Sequence, residues 1–86
     1  MTIRCASWIS WVPGGTAITL FDDRDGSYHA LNTSASTIWT ALGEGRQPGE
    51  IGEAIAAAHR APVAAVQQDV DEFVALALGK GLLVSE

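Results

Sequence analysis

Two histidines, one cysteine and a group of three aspartates are the residues of this chain best suited to chemistry. His29 and His59 fall in different elements, with no nucleophile motif beside either and no third ligand close in sequence. Neither a catalytic triad nor a metal site assembles from them on spacing alone. Asp22, Asp23 and Asp25 resemble a cation loop, but no helix glutamate follows at the spacing a Ca²⁺ site needs; they read as a solvated turn. Cys5 is the single cysteine, which excludes an intrachain disulfide framework and a Cys-based zinc site. It lies near an N-terminus expected to fray and reads as incidental. There is no Gly-rich phosphate loop and no pair of carboxylates in a definable pocket. The expectation is a chain with no catalytic residues, no metal and no cofactor, which works by binding.

The composition narrows what it could bind. Five Lys and Arg face ten Asp and Glu, for a net charge of −5, and no basic cluster exists to neutralise phosphates. Nucleic acid is therefore disfavoured. No run reaches the roughly 18 apolar residues of a membrane helix, and the first residues lack the apolar core of a secretory signal. A cytoplasmic protein is expected. Its 86 residues suit a single domain, 1–86. Hydrophobic residues make up 48% of the chain, which argues against disorder, but 14 of them are alanine, so the core of larger side chains is modest. A domain of this size buries only roughly 60–65% of its unfolded surface, so a partner that covers more of it would help.

The elements that must position any binding site follow from punctuation and periodicity. Trp8 to Val12 reads as a strand ending at the turn signal Pro13-Gly14-Gly15, Thr16 to Phe21 as a second strand, and Ser27 to Leu31 as a third. In the second, Ile18 and Leu20 share one face, and Ala17, Thr19 and Phe21 share the other. Gly26 supplies the positive-φ residue of the intervening turn. Asn32, Thr33 and Ser34 offer N-caps for a helix whose Ala35, Ile38, Trp39 and Leu42 recur on one face. Pro48 opens a second helix with the stripe Ile51, Ala54, Ile55 and Ala58, and a third runs from Pro62 or Val63 to Leu78. The third helix packs a seam of Val66, Val70, Phe73 and Ala77, while Val63, Val74, Leu78 and Leu76 widen its apolar arc to roughly 200°, about twice what one buried face needs. The surplus either covers the apolar tail Leu82-Leu83-Val84 or lines a groove or subunit interface. Trp8, Trp11 and Trp39 read as core, with exposure of one of the first two to a partner as the alternative.

An ordered set of short motifs resembles the PqqD-like family. It comprises Leu31-Asn32 with Ala35, Ile38 and Trp39, then Leu42-Gly43-Glu44-Gly45, Glu50-Ile51, Asp69-Val70 with Phe73-Val74, and Gly81-Leu82-Leu83. The resemblance covers Ile18 to Val84. These proteins are peptide chaperones of pyrroloquinoline quinone biosynthesis, and the same domain serves as the RiPP recognition element, which binds leader peptides of ribosomally made, modified natural products. The resemblance implies an α+β, winged-helix-like fold, a three-stranded antiparallel sheet followed by three helices. It also implies β-augmentation, in which a leader peptide adds as a strand against the third strand and lies beside the third helix. Carried over, the peptide-binding residues are Ser27, Tyr28, His29, Ala30 and Leu31 on the strand and Gln67, Val70, Asp71 and Val74 on the helix. The partners implied are a precursor leader peptide and separate biosynthetic enzymes (a protease, a cyclase or a radical enzyme), with lasso-type clusters preferred. The chain would act as a stand-alone domain. Free strand edges and surplus apolar arc also permit a homodimer. The alternative function is a winged-helix nucleic-acid binder, disfavoured because the third helix carries Asp69, Asp71 and Glu72 where a recognition helix carries Lys and Arg.

Overall fold

The computed structural model describes residues 2–12 and 17–86. Among the described residues, five short strands and three helices follow in the order β1 (Ile3–Cys5), β2 (Ile9–Trp11), β3 (Thr19–Asp22), β4 (Ser27–Ala30), α1 (Thr33–Gly43), α2 (Pro48–His59), α3 (Val63–Gly79) and β5 (Leu83–Ser85). Strands β2, β3 and β4 form an antiparallel sheet in that order, which is the meander expected from the turn residues. Gly26 takes φ 74° at the turn between β3 and β4, a conformation that costs glycine little. The Pro13-Gly14-Gly15 turn and Thr16 lie outside the described residues. Ile18 and Leu20 are fully buried as the alternation requires, with Thr19 exposed and Phe21 half-buried on the opposite face.

The helices begin and end where local chemistry dictates. Asn32 caps α1, its Oδ1 accepting the Ala35 N–H at 2.8 Å. Pro48 occupies the first turn of α2, where its missing N–H has no intrahelical role. Arg60 closes α2 in the left-handed region at φ 52°. Trp39 is completely buried and meets Trp11 edge to face, with ring centroids 5.3 Å apart. Trp8 and Trp11 are both half-buried against the core, so neither is the exposed aromatic of the alternative reading. On α2 the buried residues are Ile51, Gly52 and Ala56, whereas Ala58 is exposed. The stripe is shifted because Gly52, which has no side chain, lets Gln67 of α3 approach so closely that a Cβ there would collide with it.

The two chain ends depart from expectation. The N-terminal segment is not frayed and Leu82-Leu83-Val84 is not a loose tail. Strands β1 and β5 pair antiparallel, with Cys5 opposite Leu83 and Ile3 opposite Ser85. Thr2 and Glu86 exchange two further backbone bonds of 2.8 Å. The ribbon buries Ile3, Leu82 and Leu83 against the helices, which uses part of the surplus apolar arc of α3. Burial in β1 also pushes the Cys5 thiol up to about 11, so it is protonated at neutral pH. The outer side of β1 is occupied by a side chain: Gln47 Oε1 accepts the Ile3 N–H at 2.8 Å and Nε2 donates to the Ile3 carbonyl at 3.1 Å. One glutamine amide thus does for this edge what another strand would do.

If the β1–β5 ribbon belongs to the core, Leu83→Ala should lower unfolding free energy by about 3 kcal/mol, within the usual range for a buried leucine. Val12→Ala, at an exposed position, should change it by less than about 0.5 kcal/mol. Urea unfolding followed by tryptophan fluorescence checks both.

Candidate functional site

Strand β4 is an edge of the three-stranded sheet. Its register pairs Thr19 with Ala30, Leu20 with His29 and Phe21 with Tyr28, and the Leu31 N–H donates to the Ile18 carbonyl at 2.8 Å. In an antiparallel ladder, the groups facing the partner alternate residue by residue. Leu31 and His29 therefore direct their backbone toward β3, and Tyr28 and Ala30 direct their N–H and C=O groups away from the sheet. Among the described residues nothing pairs with them. The side chains alternate the other way. His29 and Ser27 are half-buried on the helical side, while Tyr28 is exposed on the outer face, its ring 5.0 Å from that of Phe21.

Beside this edge lies a hollow of about 440 Å³ between β4, the first turn of α1 and α3. Its β4 wall is His29, Ala30 and Leu31; its α3 wall is Phe73, Leu76, Ala77 and Lys80; Asn32, Ala35 and Leu82 complete it. Leu76 is 60% exposed there. The lining is mostly apolar, and Lys80 is its one fixed charge.

The structure thus brings His29, Ala30 and Leu31 of the expected site to the groove, with Ser27 and Tyr28 on the same edge strand. It does not bring the four expected α3 residues there. Val70 and Val74 are buried in the core. Gln67 and Asp71 face α2, where Gln67 Nε2 donates to the Pro48 carbonyl at 3.2 Å and to Asp71 Oδ1 at 2.9 Å. Gln67 and Leu76 are nine positions apart, about 180° round the helix. The groove wall is therefore the opposite arc, carrying Phe73, Leu76, Ala77 and Lys80. The exposed Leu76, counted in the sequence only as surplus on one side of the seam, was the signal for it. The remaining charge on α3 opposes a nucleic-acid interface, because Asp69, Asp71 and Glu72 are all exposed.

Both ends of β4 are tied down. At its exit, the buried Ser36 hydroxyl of α1 accepts the Ile18 N–H at 2.8 Å and donates to the Leu31 carbonyl at 3.4 Å. At its entry, the aspartate turn is not simply solvated as the sequence suggests. Asp22 is buried and pairs with Arg24 through two side-chain contacts, Nε–Oδ1 at 3.1 Å and Nη2–Oδ2 at 2.8 Å. The Arg24 N–H also donates to Oδ1 at 2.9 Å. These bonds hold the Asp22 carboxyl below its ordinary range. Asp25 is lowered too, through bonds from the Ser27 hydroxyl and N–H. His59 ends α2 and is exposed. No group of three His, Cys, Asp or Glu able to hold a metal occurs among the described residues, and no described helix is long and apolar enough to cross a membrane.

Comparison with known proteins gives this geometry a context. Residues 18–83 match the family described as coenzyme PQQ synthesis protein D (PqqD). No curated protein matches the chain. Among solved structures, TbiB1 in complex with the TbiA(beta) leader peptide is 26% identical, with a TM-score of 0.89 over 96% of each chain. Lasso peptide synthetase B1 complexed with its leader peptide is 21% identical, with a TM-score of 0.87 over 99% of this chain and 100% of that one. The second likeness is one of fold. The chain belongs to the PqqD family.

The Asp22 shift carries a pH dependence of known sign. A carboxyl lowered by folding stabilises the native state fully above its unfolded pKa and loses that contribution as pH falls through the folded value. Asp22→Asn should therefore flatten the decline in stability between pH 5 and pH 2 without abolishing it, since Asp25 keeps its own lowered carboxyl. Chemical denaturation at a series of pH values, wild type against variant, reads this directly; identical slopes would contradict it.

Proposed function

We propose that this PqqD-family chain is a leader-peptide-binding module. It captures the leader segment of a ribosomally made precursor by strand addition to β4 and presents the core peptide to separate modifying enzymes. The observation that carries the reading is the outward-facing backbone of Tyr28 and Ala30 beside an apolar groove on α3. Backbone bonds to these two residues supply affinity that any extended peptide shares, and the groove selects its side chains. Alternate residues of an added strand point toward the helix, so apolar side chains two apart would lie on Leu31, Phe73, Leu76 and Ala77. The likeness to a leader-peptide complex over 96% of the chain supports the reading.

In this role the chain performs no bond chemistry. A protease, a cyclase or a radical enzyme acts on the core peptide, and the bound leader raises the local concentration of that core at the enzyme. Such precursors are made on ribosomes, which places the encounter in the cytoplasm. A homodimer formed through the β4 edge would occupy the same backbone groups and compete with the peptide.

Two proline variants separate strand addition from general damage. Proline at position 30 removes an outward N–H that no described residue accepts, so the β3–β4 ladder stays whole. Ala30→Pro should stay folded yet bind the leader peptide about tenfold or more weakly, as the loss of one or two net backbone bonds predicts. Proline at position 29 removes an inward N–H of the ladder, so His29→Pro should lose stability as well. Calorimetric titration with a synthetic leader peptide from the neighbouring precursor gene, paired with thermal unfolding, measures both. Ala30→Pro binding within twofold of wild type would overturn strand addition at this edge.

A further inference from the structure

The groove has one wall on the sheet and one on α3, and its shape depends on how these two are joined. At the C-terminal end of α3 the join is made by side chains of the sheet. Arg24, in the turn that leads into β4, donates from Nη2 to the Lys80 carbonyl at 3.2 Å. Its guanidinium is anchored from below by Asp22 and lies over the Trp8 ring, 4.7 Å from the centroid. Trp8, just before β2, in turn donates from Nε1 to the Gly81 carbonyl at 2.9 Å. Two consecutive carbonyls, those of Lys80 and Gly81, are thus held by two stacked side chains from the sheet. Gly81 has φ +72°, and a Cβ placed on it would stand 2.6 Å from Arg24 Nη2. Glycine at 81 leaves the space in which the guanidinium sits.

We infer that Arg24 is the positioning residue of the peptide groove: by clamping the Lys80 carbonyl while anchored to Asp22 and Trp8, it sets the spacing between the β4 edge and the last turns of α3. This rests on the leader-peptide reading for its functional consequence, and on this geometry alone for its structural one. Arg24 does not line the groove, whereas Lys80 and Leu82, on either side of the clamped segment, do. At the other end of β4, Ser36 ties the sheet to α1. With Arg24 released, only the Trp8–Gly81 bond would join the sheet to the end of α3 there, and α3 could sway relative to the incoming strand. A strand-adding peptide must meet backbone groups and helix side chains at the same time, so a wider range of spacings weakens it. Lysine cannot replace this arginine, because one ammonium cannot engage both Asp22 oxygens, stack on an indole and reach a carbonyl together.

The test combines a distance readout that needs no peptide with a binding readout that does. Spin labels on Tyr28→Cys and Glu72→Cys, in a Cys5→Ser background, report the distance between β4 and α3 by pulsed electron resonance. Arg24→Ala and Arg24→Lys should both broaden that distribution, with circular dichroism unchanged. Both should weaken a synthetic leader peptide from the neighbouring precursor gene about tenfold, measured at 10 °C where each variant is folded. Gly81→Ala pushes the guanidinium off its carbonyl and strains a φ of +72°, so it should weaken binding in the wild-type background and have a smaller effect in Arg24→Ala, where only the strain remains, a non-additivity expected of residues that act together. An unchanged distance distribution, peptide affinity within twofold for Arg24→Ala, or full additivity of the two substitutions would each overturn the inference. If wild type fails to bind the leader peptide, the leader-peptide reading falls, and the distance distributions alone decide whether Arg24 sets the spacing.

Discussion

The N–H and C=O groups of Tyr28 and Ala30 point away from β3, and among the described residues no group of the chain meets them. Exposed edges of this kind invite pairing, and proteins ordinarily blunt them with charge, proline or a covering element. Two edges, one in each sheet, are treated differently: that of β1 is blunted and that of β4 is left open. The outer side of β1 is filled by the amide of Gln47, bonded to both backbone groups of Ile3. Strand β4 has the sequence Ser-Tyr-His-Ala, with no fixed charge and no proline. The contrast places the free valence of the sheet beside the one stretch of α3 that exposes a leucine.

Much of the remaining architecture keeps that edge in place. Burial of Ile18 and Leu20 fixes the face of the sheet, and with it the direction of every side chain on β4, because a slip of one residue would invert them all. Ser36 secures the strand where it leaves the sheet, and the Asp22–Arg24 pair secures the turn where it enters. The β1–β5 ribbon closes the bottom of a core that is short of large side chains, with Leu83 replacing apolar area that alanine-rich helices do not supply. The groove is a part of the apolar surface left uncovered beside the open edge, so a bound strand would extend both the sheet and the core.

The meander and the helix limits could be read from the sequence because their causes are local. Gly26 takes its positive φ, Asn32 caps its helix, and Pro48 opens the next, each decided within a few residues. The pairing of β1 with β5 could not be read, since each strand has three residues, too few for an alternating pattern, and the partners come from opposite ends of the chain. The hollow beside β4 is lined by a different arc of α3 from the one expected, for a different reason. The apolar arc of α3 is wide enough to satisfy two neighbours, and nothing local says which arc meets α2 and which meets the sheet. Gly52 on another helix leaves the room in which Gln67 packs against α2, while Phe73 and Leu76 lie on the arc toward β4. The Asp22–Arg24 clamp was hidden similarly, because its third partner, the Lys80 carbonyl, is 56 residues away.

The most direct measurement is amide hydrogen exchange of the protein alone and saturated with its leader peptide, resolved residue by residue. Strand addition at β4 predicts that the Tyr28 and Ala30 amides become protected on binding, while His29 and Leu31, already bonded within the sheet, change little. Protection gained only along α2 and α3, with Tyr28 and Ala30 exchanging as freely as before, would contradict the account.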